Sequence, residues 1–305
     1  MPSTGLFYRL LRHRAPEVQV GAGYRRPHFL QHLAIEYRAA PSPSNPPVKK
    51  PLLPRHLLAA AALLLLACAF GRPTPPTLYL IGDSTVNNPN PPQAGWGNVI
   101  AAYFDTTRIR VRNNAKAGRS TRTFISEGRW KTTIDAIRPG DFLIMQFGHN
   151  EGSPPDTTKA GRRGVLRGTG EETKSLVWPD GHPETVNTYG WYLRKFIREA
   201  RAKGATPVVC SMIPRNEWKD GKVIRASSDF GKWAQEVAQQ EGVAFINLNE
   251  ITALKYDQLG PVEVKKFFPG DHTHTNEAGA IINAESVVDG IKANQKLALR
   301  KYLKQ

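Results

Sequence analysis

The sequence predicts an α/β domain of three layers, with helices on both faces of a five-stranded parallel sheet in the flavodoxin-like strand order. Three observations predict it. Five short apolar runs bounded by turn residues recur between Thr77 and Leu248, apolar on both faces as strands covered on both sides are. Longer amphipathic stretches separate them, and regular alternation of strand and helix implies right-handed crossovers. With 305 residues, 40% hydrophobic and 22% charged, the chain has an ordinary globular composition and enough apolar material for a sizeable core.

Taken in order, the strands are TLYLIG (77–82), RIRVRN (108–113), DFLIMQFG (141–148), TPVVCSM (206–212) and VAFINL (243–248). Helical patterns fall near 95–104, 120–137, 187–203 and 226–241, with a last helix over 276–302. One segment breaks the alternation. Residues 151–186 are rich in Gly, Pro and charge and too long for a routine connection; structureless loops of that length are usually functional or disordered. There is no internal repeat, and low complexity is confined to Pro-rich patches at 41–54 and 73–76.

The formal charge of +16 is unevenly spread. Residues 1–76 carry ten Lys/Arg against two Asp/Glu, a balance of +8, so the larger remainder is only moderately basic. No nucleic-acid reading motif accompanies it, which argues against a nucleic-acid partner. The run LLAAAALLLLACAF (57–70) follows Lys49, Lys50, Arg55 and His56, the pattern of an export signal. It falls short of the about 20 residues a spanning helix needs, so no integral membrane span is expected in the mature protein. ACA at 67–69 fits a signal peptidase site, whereas LLAC at 65–68 resembles a lipobox with a lipid anchor at Cys68. Both a secreted or periplasmic protein and one anchored at the cell envelope stay open. No Met lies between Met1 and Met145, so translation is read as starting at Val48. Residues 1–47 are then a gene-calling artefact or disordered leader, 48–76 the signal and Pro-rich joint, and 77–305 the domain. Cys68 and Cys210 are the only cysteines; no disulfide is expected in the exported form, and Cys210 reads as a small buried hydrophobe.

Four polar clusters fall where such a fold places function, at the carboxyl ends of strands and ahead of the last helix: GDST (82–85), NNAKAGRS (113–120), GHNE (148–151) and DHTH (271–274). Ser84, emerging from a buried strand into the start of a helix, is either an exposed reactive hydroxyl or an N-cap. Asp83 beside it is a turn-former. Gly118 can present a backbone N–H to a ligand and Asn150 a side-chain N–H, although either can equally be part of a turn. Arg119 and Arg122 can reach acidic substrate groups, or be solvated or ion-paired at the surface. Asp271, His272 and His274 fit a metal site, half of a nucleophilic triad or a polar turn. A zinc site wants a further ligand, and His149 and His182 are isolated in the sequence.

In this order, the four blocks resemble those of the SGNH (GDSL-like) hydrolases. The wording LYLIGDST, NAKAGRS and DHTHTNEAGA is similar to the rhamnogalacturonan acetylesterase branch, and the likeness runs over most of residues 77–300. Glu151 departs from it, since the third block commonly carries Asp there. The resemblance implies a flavodoxin-like SGNH hydrolase fold without cofactor or metal. It implies Ser84 as nucleophile, His274 as general base and Asp271 as the group that orients the imidazole. Ser84 N–H, Gly118 N–H and the Asn150 side chain would form the oxyanion hole. His272 becomes a structural or substrate-side neighbour.

An acetylated plant cell-wall polysaccharide, pectic rhamnogalacturonan, is the expected partner, with Trp96, Trp178, Trp191 and Trp218 as candidates for stacking on sugar rings or for the core. Acetylated xylan or another hemicellulose is the second expectation. A non-catalytic carbohydrate-binding module is a third, opposed by the presence of all three triad residues.

Overall fold

The computed structural model describes residues 74–305; the leader, the apolar run and Cys68 lie outside them. The strands are β1 (Thr77–Gly82), β2 (Arg110–Asn113), β3 (Phe142–Gln146), β4 (Thr173–Val177), β5 (Pro183–Asn187), β6 (Thr206–Cys210), β7 (Trp218–Lys219), β8 (Lys222–Val223) and β9 (Ala244–Ile246). The α-helices are α1 (Trp96–Val99), α2 (Thr121–Ser126), α3 (Arg129–Ala136), α4 (Tyr189–Ala202), α5 (Phe230–Gln240), α6 (Leu248–Lys265) and α7 (Glu277–Ala293).

Five strands pair in the order β2-β1-β3-β6-β9, all parallel, which is the expected doubly wound order. Successive side chains along a strand point to opposite faces, and the core divides accordingly. Leu78, Leu80, Phe142, Ile144 and Val208 pack with Trp96, Ile100 and α7 residues Val287 and Ile291. Tyr79, Ile81, Leu143, Met145 and Val209 pack with Phe124, Trp130, Phe196 and Val237 from α2–α5. Cys210 is buried and free, as its apolar context predicts.

Side chains set several helix starts. Ser120 accepts from Thr123 N at 3.3 Å, Thr188 from Trp191 N at 3.1 Å and Asn276 from Gly279 N at 3.1 Å, each satisfying a donor with no intrahelical partner.

Three expectations need correction. The helix α6 was not anticipated, because Gly260 (φ 79°) and Pro261 break it into two segments and blur any single periodic face. The last helical stretch stops at Ala293 and resumes as a 3₁₀ turn at Ala298–Tyr302. Residues 151–186 are not structureless: a 3₁₀ turn at Gly161–Arg163 is followed by the antiparallel hairpin β4–β5. Its strands are mostly exposed and so lack a buried stripe to read, although Asp180-Gly181 marks the turn, with Gly181 at φ 87°.

Candidate active site

β1 delivers Ser84. Gly82 ends the strand so closely packed that an added Cβ would lie 2.5 Å from Gln146 O, and the chain then turns through Asp83–Val86. Asp83 Oδ1 accepts from Thr85 N (2.9 Å) and Thr85 Oγ1 (2.7 Å), the turn-forming role expected of it. No helix begins here, so the N-cap reading of Ser84 is corrected: its hydroxyl is free for a partner from elsewhere. Gln146, the last residue of β3, braces this turn by donating to Thr85 Oγ1 at 2.7 Å while accepting from Trp96 Nε1 at 2.8 Å. Trp96 is therefore core.

That partner is His274, whose Nε2 lies 2.8 Å from Ser84 Oγ. Asp271 Oδ2 lies 2.7 Å from His274 Nδ1, and Asp271 Oδ1 accepts the amides of Thr273 (2.7 Å) and His274 (2.8 Å). Burial pushes the Asp271 carboxyl up, but the hydrogen bonds from His274 and the two amides outweigh it and hold the group at about 2. The turn itself is tied down by Ala94 N to Thr275 O (2.7 Å) and Asn216 N to His272 O (2.7 Å). Three residues separated by up to 190 positions thus form one hydrogen-bonded chain.

The loop after β2 sits against the serine turn through Lys116 N to Gly82 O (3.0 Å) and Asn87 Nδ2 to Ala115 O (2.8 Å). Gly118 lies on it at φ 75°, in the left-handed region that glycine tolerates. Among the described residues neither the Ser84 nor the Gly118 amide has an intramolecular acceptor. Asn150 joins the same loop, with Nδ2 donating to Arg119 O at 3.2 Å.

Two neighbours were not singled out from sequence as site residues. Arg163 Nη1 donates to Asn150 Oδ1 at 3.1 Å. Glu151, 1% exposed, accepts Thr121 N (2.8 Å) on Oε1 and Asn150 N (3.0 Å) on Oε2. Burial, reinforced by the Asp83 charge, raises its carboxyl to about 8. Only its departure from the family wording had marked it.

The arginines diverge: Arg119 pairs with Glu127 at 2.8 Å near the surface, whereas Arg122 is 2% exposed and pairs with the partly buried Glu184 at 2.5 Å, in place of the expected surface or substrate role. His272 turns to Glu217 at 3.6 Å, and among the described residues no three His, Cys, Asp or Glu side chains converge as metal ligands. Both nitrogens of His149 are buried, and burial lowers its pKa, the Asp83 charge opposing this and Arg215 and His274 adding to it. Trp178 stacks on His182 and donates to Glu184 at 2.9 Å. Trp191 and Trp218 pack against apolar clusters.

Residues 80–280 match the family model of the GDSL-like lipase/acylhydrolase family. The chain belongs to this family. As a GDSL-like acylhydrolase it is an ester hydrolase. It is 33% identical over 234 residues to a rhamnogalacturonan acetylesterase of Emericella nidulans, covering 77% of this chain and 90% of the relative. It is 31% identical over 236 residues to the rhamnogalacturonan acetylesterase RhgT of Bacillus subtilis, covering 72% and 90%. The crystal structure of the Bacillus subtilis protein YxiM superposes with a TM-score of 0.59 at 26% identity, covering 73% of this chain and 58% of that one.

This GDSL-like hydrolase has a cleft of about 380 Å³ lined by Gly148, His149, Arg167, Met212, Arg215 and Asp229 among others, within the size range of small-ligand sites. Arg225 on its wall is spoken for by Asp257 (2.6 Å) and Glu250 (3.2 Å). Among the described residues Arg215 and Arg167 have no carboxylate partner, and Arg167 is held over the rings of Phe230 and Trp233 at 5.5 and 5.1 Å.

Proposed function

We propose that the protein is an exported serine esterase that removes O-acetyl groups from pectic rhamnogalacturonan. The Ser84–His274–Asp271 hydrogen-bonded chain carries this reading. His274 Nε2 takes the Ser84 proton as Oγ attacks the acetyl carbonyl, and Asp271 stabilises the imidazolium through Nδ1. The Ser84 and Gly118 amides and the Asn150 Nδ2 proton not given to Arg119 O are the oxyanion donors. His274 then returns the proton to the leaving sugar oxygen, and water repeats the sequence to release acetate and restore Ser84.

The names of the two relatives support rhamnogalacturonan as substrate. Arg215 and Arg167, which no carboxylate pairs among the described residues although Glu217 and Asp229 also line the cleft, favour an acidic chain over neutral xylan, because a uronate carboxylate can pair with them. Export rests on the apolar run at 57–70, and among the described residues no helix is long and apolar enough to cross a membrane.

The test is acetate release from O-acetylated rhamnogalacturonan and from acetylated xylan by residues 77–305, with Ser84→Ala and a chelator-treated sample alongside. Release that survives chelation, vanishes in Ser84→Ala and is faster on the pectic polymer is expected. Activity retained by Ser84→Ala would overturn the serine mechanism, and faster release from xylan would transfer the substrate assignment to hemicellulose.

A further inference from the structure

The insertion at 151–186 has no part in the reaction as described, yet its 3₁₀ turn touches the site at one atom. Arg163 donates to Asn150 Oδ1 at 3.1 Å, while Asn150 Nδ2 donates to Arg119 O at 3.2 Å. Both ends of the carboxamide are thus engaged by groups of the right sense. A guanidinium only donates, so it holds the oxygen, and the carbonyl of Arg119 only accepts, so it holds the nitrogen. This leaves one Nδ2 proton free, its direction fixed by these two contacts of the planar amide group.

The turn carrying Arg163 is itself anchored. The buried Arg122 reaches Gly161 O (2.9 Å) and Gly164 O (3.1 Å) through Nη1 and binds Glu184 of β5 through Nε and Nη2 (2.8 and 2.5 Å). Val165 N donates to Glu151 O at 3.3 Å, joining the turn to the residue after Asn150. A buried cation given two carbonyls and a bidentate carboxylate is a rigid pivot.

We infer that the insertion is a strut for the oxyanion hole, with Arg163 as the positioning residue that sets the orientation and donor strength of the Asn150 amide. The inference rests on the serine-esterase reading above. Orientation is one part of the effect. The other is polarisation: positive charge at Oδ1 draws electron density from the amide and makes Nδ2–H a stronger donor to a developing oxyanion.

The experiment measures kcat and KM on a small chromogenic acetate ester, which makes none of the contacts of a polymer, for Arg163→Ala, Arg163→Lys, Asn150→Ala and the Arg163→Ala/Asn150→Ala double variant. Unfolding midpoints confirm that each is folded; Arg163 is only half-buried, so its removal leaves no cavity in the core. Asn150→Ala is expected to lower kcat on the order of a hundredfold. Arg163→Ala is expected to lower kcat about tenfold with KM little changed, as for loss of an interaction made in the transition state. Lysine restores part of the loss, because an ammonium also donates to Oδ1. The double variant should be no slower than Asn150→Ala alone, since there is then no amide to position.

Unchanged kcat in Arg163→Ala beside a slow Asn150→Ala overturns the strut and leaves the oxyanion hole standing. Losses that multiply in the double variant overturn it too, by showing that Arg163 acts elsewhere. An unaffected Asn150→Ala removes the oxyanion assignment and the strut together.

Discussion

Replacing Glu151 by glutamine should change how stability depends on pH. The carboxyl is raised from 4.5 to about 8, burial being the largest cause, the Asp83 charge adding to it and the Thr121 and Asn150 amides opposing it. A group whose folded pKa lies above its unfolded value stabilises the fold fully below the unfolded pKa, and that contribution is lost as pH rises through the folded one. Between 4.5 and about 8 each pH unit therefore removes about 1.4 kcal/mol, so the wild type gives up roughly 3 kcal/mol by pH 7 and roughly 5 kcal/mol above pH 8, as an order of magnitude. Glutamine is neutral throughout, but its amide NH₂ must face one of the two backbone N–H donors, leaving that donor unpaired at about 1–3 kcal/mol. Urea unfolding at pH 5, 7 and 8.5 at constant ionic strength should show Glu151→Gln less stable than wild type at pH 5 and equal or more stable at pH 8.5. All other titrating groups are common to both proteins, so the difference isolates Glu151. A stability gap that stays constant across the range, or widens in favour of wild type with rising pH, would refute the reasoning.

Three further outcomes are expected. Asp271→Asn should lower kcat on the order of 10³–10⁴-fold by losing the imidazolium's partner, and in the wild type the pH–rate profile should show no inflexion from Asp271 above about pH 3, because that carboxyl titrates at about 2. Arg215→Ala should raise KM on acetylated rhamnogalacturonan severalfold, more at low than at high salt, while leaving a neutral chromogenic acetate unaffected; equal effects on both substrates would remove Arg215 from carboxylate recognition. Cys210, whose thiol burial pushes up, should resist a thiol reagent in the native protein and react once on unfolding, as titration of released chromophore would show.

Much of this protein is legible in its sequence because its central strands are apolar on both faces. TLYLIG is recognisable as a strand without knowing its neighbours, and it spans β1 residue for residue. The polar blocks that follow such runs lie at the carboxyl edge of the sheet, but it was the resemblance of the four blocks to the SGNH hydrolases that implied Ser84, Gly118, Asn150, Asp271 and His274 as one site. The hairpin β4–β5 escaped because most of its residues face water and obey no alternating burial pattern. The helix α6 escaped because Gly260-Pro261 interrupts it.

What the sequence alone determined, then, was local: strand and helix periods, turn chemistry around Asp83, and the types of residue available for acyl transfer. Only the tertiary structure decided which of them meet. His274 faces Ser84 across 190 positions of chain, and His272, two residues earlier, turns away to Glu217. Arg122 is buried against Glu184 while Arg119, three residues before it, stays near the surface with Glu127. The insertion that looked like a loop holds one end of the Asn150 amide. Each outcome depends on the direction of a side chain relative to a distant backbone, set by packing the two faces of the sheet together, and that is information no local pattern contains.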